Sequence, residues 1–148
     1  MILWRALNKK SGLVNKYKIM NIFDIWNWKK QLINNQRERT FYVKPKEVWY
    51  ASIGQNIWFE SYWKWDDFKR PVLVLAKIWN MFLVATMTTK WKDDSPFYYK
   101  ISDSHFWKPS YVTFSQIKTI DKKRFIEKIW KIDSEEFKEI KNKVREYL

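Results

Sequence analysis

Two apolar runs in the middle of the sequence, separated by five residues that end in a Trp-Asn pair, constrain the fold most strongly. Residues 71–75 (PVLVL) and residues 81–88 (MFLVATMT) are rich in aliphatic and β-branched side chains. Runs of this kind around a two-residue turn predict a buried β-hairpin. Further short strands are predicted at residues 47–53, 97–101 and 111–117. Because no helical pattern separates these strands, the region is predicted to form a small antiparallel barrel.

Helical periodicity lies outside this central region. Residues 21–35 have the apolar spacing of a short amphipathic helix, with Asn21 or Asp24 as its cap. Residues 122–129 are predicted to form a shorter helical piece, which ends near Trp130. The predicted fold class is therefore mainly β with helices (α+β).

A C-terminal helix is predicted to end the chain. Asp133 precedes Glu136 by three residues, which is a pattern typical of a helix start. Four apolar residues then recur at i, i+3, i+7 and i+10, as one face of a helix requires: Phe137, Ile140, Val144 and Tyr147.

The positive charge of the chain is concentrated near its N-terminus. The formal net charge is +13, and residues 1–46 carry eleven Lys or Arg against two acids, a net +9. Such a basic segment suits an anionic partner such as RNA, DNA or an acidic protein segment. The alternative is a solvated extension without a partner.

The composition excludes several kinds of chemistry. The chain has no cysteine, so disulfides, thiolate metal sites and cysteine nucleophiles are excluded. It has a single histidine, His105, which excludes catalysis by a histidine pair; a structural or exposed role is expected for it. No apolar run reaches the ~18 residues of a membrane span, and no secretory signal is recognisable at the start. A cytoplasmic protein without a membrane partner is therefore expected.

Several segments, in the same order, resemble the PemK/MazF toxins of type II toxin–antitoxin systems. The resemblance covers roughly residues 45–147, and Asp66-Asp67-Phe68 is similar to the branch with a longer first loop. The matching segments are KEVW at 46–49, Asn56-Ile57 followed by Glu60, KRPVLVL at 69–75, TMTTK at 86–90, SPF at 95–97, SQIKTID at 115–121 and RFIEKI at 124–129.

The resemblance implies both a fold and an activity. The fold would be an SH3-like barrel with a C-terminal helix, spanning residues 45–148, after a basic and partly helical extension at residues 1–44. The activity would be that of a metal-independent endoribonuclease that cuts single-stranded RNA at short sequences, without a cofactor. The implied partners are a second copy of the chain and a cognate antitoxin, and any contact with DNA is expected through the antitoxin complex.

The resemblance also assigns residues to the reaction. Arg70 and Thr88 match the catalytic arginine and threonine of the family, and Glu60 matches the acidic residue of its first long loop. Arginine suits the role because it stays cationic and offers parallel donors to phosphate oxygens. Threonine can hold a phosphate oxygen or orient the 2′-hydroxyl, and Glu60 is the expected base. The residues assigned to RNA binding are Lys64, Lys69, Thr89, Lys90 and Gln116; no metal ligands are assigned.

Each assignment has a structural alternative. Arg70 could pair with Asp66 or Asp67, Thr88 could be an ordinary strand residue, and Glu60 could be a solvated loop residue. At the level of the whole protein, the alternatives are a catalytically silent SH3-like module that binds RNA or a peptide, and a DNA-contacting regulator that acts through the basic segment.

The glycine and tryptophan counts do not fit an ordinary protein. The chain has 2 glycines and 11 tryptophans, whereas usage of ~7% would give about ten glycines. We hypothesise that seven tryptophans at turn or loop positions are glycines in the source organism, encoded by UGA codons. These are Trp58, Trp63, Trp65, Trp79, Trp91, Trp107 and Trp130. Trp26 and Trp49 lie in periodic segments and are expected to be genuine, whereas Trp4 and Trp28 are left open.

Overall fold

The computed structural model describes residues 21–37, 40–57, 68–90, 95–102 and 108–147. Its elements begin with helix α1 (Ile22–Asn35), strands β1 (Glu47–Ser52), β2 (Lys69–Ile78) and β3 (Met81–Thr88), and strands β4 (Tyr98–Lys100) and β5 (Tyr111–Asp121). A 3₁₀ turn (Lys122–Arg124), strand β6 (Phe125–Lys131) and helix α2 (Ser134–Glu146) complete the order. The predicted fold class is confirmed.

The described strands form one antiparallel sheet in the order β4-β5-β3-β2-β1-β6. Successive side chains of a strand point to opposite faces, so the apolar run of β2 contributes side chains to the core on both faces. Val72 and Val74 pack on one face with Trp49, Phe82 and Phe125. Leu73 and Leu75 pack on the other face, which α2 covers with Phe137, Ile140 and Val144. The C-terminal helix and three residues of its predicted apolar face are thus confirmed.

The predicted β2–β3 hairpin is also confirmed. Ile78 pairs with Met81, so Trp79 and Asn80 form a two-residue turn. Trp79 has a φ of 51° and is 86% exposed. This left-handed backbone at the first turn position is one that glycine adopts without a steric penalty.

Helix α1 begins at the predicted residue and uses both predicted caps. The Oδ1 of Asn21 accepts a hydrogen bond from the backbone N–H of Asp24 at 3.0 Å, and the Oδ2 of Asp24 accepts one from the N–H of Asn21 at 3.3 Å. This reciprocal capping box satisfies two backbone donors of the first turn. No helix in the described segments is long and apolar enough to cross a membrane.

The prediction of a helix at residues 122–129 is wrong. After the 3₁₀ turn the chain enters β6, which pairs with β1 and completes the sheet on that side. Trp130 therefore lies inside a strand, opposite Val48, and packs half-buried against the core beneath α2. The expected helix end at Trp130, which was one reason to interpret it as a glycine, does not exist.

Candidate active site

One face of the sheet changes from apolar to polar along its length. We call it the Arg70 face, meaning the side to which Arg70, Val72 and Val74 point. Directly opposed residues of an antiparallel pair share a face. Val72 is opposite Thr86, Thr86 is opposite Thr113, and Thr113 is opposite Tyr98. A row of polar side chains therefore runs across β3, β5 and β4, directly beyond the apolar core.

Arg70 and Thr88 lie in the next row of the same face. The β2–β3 pairs end at Val72–Thr86, and Arg70 and Thr88 each lie two residues beyond this pair. Alternation along each strand puts both side chains on the Arg70 face. The two predicted catalytic residues that the structure describes therefore share one face of the sheet, although 17 residues of sequence separate them.

The local sequence fixes the backbone of Arg70. Pro71 follows it directly, and a residue before proline is restricted to extended backbone. Arg70 pairs with Ala51 of β1, and Pro71 pairs with Tyr50. The guanidinium is consequently held on the sheet face near the beginning of β2, a more rigid support than a loop would give.

The surroundings of Arg70 are partly desolvated. Burial lowers the pKa of its guanidinium, and the charge of Tyr98 raises it in part. The ordinary value is so high that the group stays protonated. A cation that has already lost part of its water shell interacts more strongly with an incoming phosphate than one in bulk water.

Thr88 keeps a donor for a ligand. Its Oγ1 accepts a hydrogen bond from the backbone N–H of Lys90 at 3.1 Å. A hydroxyl that accepts one bond still has its own O–H to donate. This contact fixes the position of the oxygen at the end of β3, and the half-buried side chain faces the same side as Arg70.

Three polar residues of this face were missed by the sequence analysis. Thr86 and Thr113 are buried, and Tyr98 is half-buried and contributes electrostatically to the pKa of Arg70. The alternation within residues 97–101 indicates that Tyr98 and Lys100 point to the opposite face from Phe97 and Ile101. It does not indicate that Tyr98 shares a face with Arg70.

The other predicted residues are placed less centrally. Lys69 belongs to the opposite side of β2, with its Nζ 5.8 Å from the ring centroid of Tyr50. Thr89 and Lys90 are exposed just after β3, and Gln116 is half-buried at the irregularity between the pairs Ala85–Ile117 and Thr86–Thr113. Glu60 and Lys64 lie outside the described residues, as does His105.

The donor set of the site suits an anion. Arg70, Thr88 and Tyr98 carry N–H and O–H groups on this face, and the site contains no carboxylate within the part of the chain that the structure describes. In the same residues, no group of three or more His, Asp or Glu side chains could hold a metal ion.

Solved structures of toxins share this fold. MazF from Deinococcus radiodurans (form I) is similar with a TM-score of 0.58 and 14% identity, covering 72% of this chain and 96% of that one. An endoribonuclease in complex with its cognate antitoxin, from a mycobacterial species, has a TM-score of 0.55 and 13% identity, covering 71% of this chain and 93% of that one. The Mycobacterium tuberculosis toxin MazF-mt6 has a TM-score of 0.52 and 16% identity, covering 68% of this chain and 93% of that one. At these identities the likeness concerns the fold alone.

Sequence comparison identifies the family. No curated protein sequence matches the chain significantly. A family profile described as the PemK-like, MazF-like toxin of type II toxin–antitoxin systems matches residues 45–148, well over half of the chain. The profile covers all six strands and α2, and it includes every residue of the polar rows described above. The chain therefore belongs to the PemK-like, MazF-like toxin family of type II toxin–antitoxin systems.

Proposed function

We propose that the chain is an endoribonuclease that cleaves single-stranded RNA at short sequences by metal-independent attack of the 2′-hydroxyl. The observation that supports the proposal is that Arg70 and Thr88, each two residues beyond the pair Val72–Thr86, share one sheet face with further hydroxyl-bearing residues. Family membership supports the same class of activity. The location of such an enzyme would be the cytoplasm, where its RNA substrate is.

The reaction needs three events at one phosphate. The 2′-hydroxyl loses its proton, its oxygen bonds to phosphorus, and the bond from phosphorus to the 5′-oxygen breaks as that oxygen takes up a proton. The products are a 2′,3′-cyclic phosphate and a 5′-hydroxyl. Glu60 is proposed as the base that accepts the first proton, a role worth ~10²–10⁴-fold when the base is well positioned.

Arg70 is proposed to stabilise the charge that builds up on the phosphate oxygens. A preorganised donor of this kind contributes on the order of 3–4 kcal/mol to the transition state. Thr88 is proposed to donate its O–H to a phosphate oxygen or to orient the 2′-hydroxyl. Tyr98 lies on the same face as Arg70, which supports it as a further donor to the same phosphate.

RNA binding is proposed to extend beyond the Arg70 face, since Lys69 lies on the opposite side of β2. Lys64, Lys69 and Lys90 would contact phosphates, because ammonium groups neutralise the backbone of nucleic acids. Thr89 and Gln116 would hydrogen-bond sugars or bases. Since phosphate contacts make binding salt-dependent, each lysine replaced should reduce the slope of log affinity against log salt by about 0.7.

The proposed protein partners follow from the relatives. One similar structure is an endoribonuclease with its cognate antitoxin, and another is MazE-MazF from Deinococcus radiodurans. We propose that this chain forms a homodimer and is inhibited by an antitoxin that covers the Arg70 face, with any DNA contact through that complex. A small open reading frame beside the gene should encode this antitoxin, and its product should bind the purified chain.

The decisive experiment is cleavage of a single-stranded RNA by the purified chain in EDTA. The expected products carry 2′,3′-cyclic phosphate and 5′-hydroxyl ends, and addition of the antitoxin should stop the reaction. A requirement for Mg²⁺ would overturn the mechanism. RNA binding without any cleavage would support the catalytically silent module instead.

A further inference from the structure

Helix α1 packs against the barrel although it precedes the family match, which begins at residue 45. Trp26 is the buried residue of this helix and is 6% exposed, whereas Trp28, on the same helix, is 56% exposed. Lys123 reinforces the contact, because its Nζ donates to the backbone carbonyl of Asn34 at 2.7 Å. The helix therefore has a defined position on the barrel, with Trp26 as its apolar anchor.

The indole of Trp26 contacts three groups of the barrel. Its ring lies 5.2 Å from the ring of Phe68 at an angle of 44°. The guanidinium carbon of Arg124 lies 5.5 Å from its centroid, a cation–π distance. Gly54, with a φ of 95°, lies so close that a Cβ atom at this position would overlap the indole. Glycine is required at this position for both its backbone conformation and its small size.

These contacts meet where β1 ends and β2 begins. The carbonyl of Phe68 accepts hydrogen bonds from the backbone N–H groups of both Ile53 and Gly54, at 3.0 and 3.1 Å. The Nη1 of Arg124 donates to the carbonyl of Ser52 at 2.9 Å. The two chain segments are thereby joined at the level of Trp26.

Phe68 connects this cluster to Arg70. It stands two residues before Arg70 and has a left-handed φ of 52°. A phenylalanine keeps such a backbone only where its surroundings hold it there. Its ring packs on Trp26 and lies 5.8 Å from the Nζ of Lys29, another residue of α1. These contacts set the direction in which the chain enters β2, and together with the pairing of Arg70 with Ala51 they position the Arg70 side chain.

We propose that Trp26 is a positioning residue for Arg70: through Phe68 and Gly54, helix α1 fixes the start of β2 so that the guanidinium meets the scissile phosphate. This inference rests on the proposed function. It assigns to the N-terminal helix a role in catalysis rather than in RNA binding. Loss of Trp26 should therefore lower kcat, because the arginine is misplaced, and leave KM nearly unchanged.

The test measures kcat and KM for RNA cleavage in Trp26→Ala, Trp26→Phe and Trp28→Ala. Trp26→Ala should lower kcat about 10- to 100-fold, the range expected for a misplacement near 1 Å, and change KM less than twofold. Trp26→Phe should recover most of kcat because it restores an aromatic contact with Phe68 and Arg124. Trp28→Ala, the matched control on the exposed side of α1, should behave as the parent. If Trp26→Ala does not fold, Trp26→Leu replaces it with the same expectation.

A second measurement does not depend on cleavage. In nuclear magnetic resonance spectra of Trp26→Ala, the amide signals of Lys69 and Arg70 should shift, and the amides of Ile53 and Gly54 should exchange hydrogen faster. If the parent protein does not cleave RNA, the proposed function is refuted. The spectra would then still test whether Trp26 determines the position of Arg70. Unchanged spectra, or a folded Trp26→Ala with parental kcat, would overturn it. A rise in KM alone would show that the helix binds RNA instead.

Discussion

Tyr98 lies on the same face of the sheet as Arg70 and raises the pKa of its guanidinium through its charge, although β5 and β3 separate the strands that carry them. The pairs that link Tyr98 through Thr113 and Thr86 to Val72 place it one row from Arg70 on this face. We expect its hydroxyl to donate to a phosphate bound by Arg70.

Two neighbouring tyrosines should separate activity from stability. Tyr98→Phe removes a donor beside Arg70 and should lower kcat/KM for RNA cleavage about 10-fold, as expected for one hydrogen bond to a charged group. Tyr99 points to the opposite face, and its hydroxyl donates to the Oε2 of Glu139 in α2 at 2.7 Å. Tyr99→Phe should therefore lower the free energy of unfolding by about 1 kcal/mol and leave kcat/KM unchanged. Equal kinetic effects in both variants would contradict the role given to Tyr98.

Arg70→Ala should reduce RNA cleavage by ~10²-fold or more, because it removes the cation that stabilises the transition state. Arg70→Lys should restore little of the activity, since an ammonium lacks the two parallel donors of a guanidinium. Thr88→Ala should also be impaired. The measurement is kcat/KM on one oligonucleotide, with circular dichroism as the check that each variant folds. A folded Arg70→Ala that cuts at the parental rate would refute the assignment.

The fold was largely predictable because its elements follow local patterns. The strands around Val72 and Val84 and the helices capped by Asn21 and Asp133 were all indicated by short segments of sequence. The segment 122–129 was not. Its apolar residues fit a helix or a strand equally well. The segment forms a strand because it pairs with β1, which lies more than 70 residues earlier in the chain.

The site was predictable only in part. The resemblance to the family pointed to Arg70 and Thr88, but it did not indicate Tyr98. The place of Tyr98 on the Arg70 face depends on the register of three strand pairs, which includes irregularities between Val74 and Ala76 and between Ala85 and Thr86. Such irregularities bend and twist a strand and leave no clear signal in a single sequence. The contact of Trp26 with Phe68 was equally unpredictable, because it joins two distant segments.

The cap of α2 should make stability depend on pH in the acid range. The Asp133 carboxylate accepts a hydrogen bond from the backbone N–H of Glu135 at 2.8 Å. Backbone hydrogen bonds from Glu135 and Ser134, together with the charge of Lys46, hold the pKa of Asp133 below its ordinary value. The unfolded chain therefore takes up a proton here at a higher pH than the folded chain does. The resulting stabilisation is present above the unfolded value of ~3.9 and is lost as the pH falls through the folded pKa.

Asp133→Asn tests this dependence, because asparagine still caps a helix but does not titrate. Urea unfolding between pH 6 and pH 2 should show a smaller loss of stability on acidification in the variant than in the parent. Identical pH profiles for the two proteins would show that the charged form of this cap does not stabilise the folded state.

Two tryptophans proposed to be recoded glycines should respond oppositely when replaced. Trp79 is 86% exposed with a φ of 51°, so Trp79→Gly relieves a strained turn, and the free energy of unfolding should rise by up to about 1 kcal/mol. Trp130 packs half-buried opposite Val48, so Trp130→Gly in the same chain should lower it by about 2 kcal/mol or more. Urea denaturation of both variants measures the two changes. A loss of stability in Trp79→Gly would remove the structural argument for glycine at this turn. The codons at all seven positions and the intact mass of the native protein then decide the hypothesis: UGG codons or a mass with eleven tryptophans would refute it.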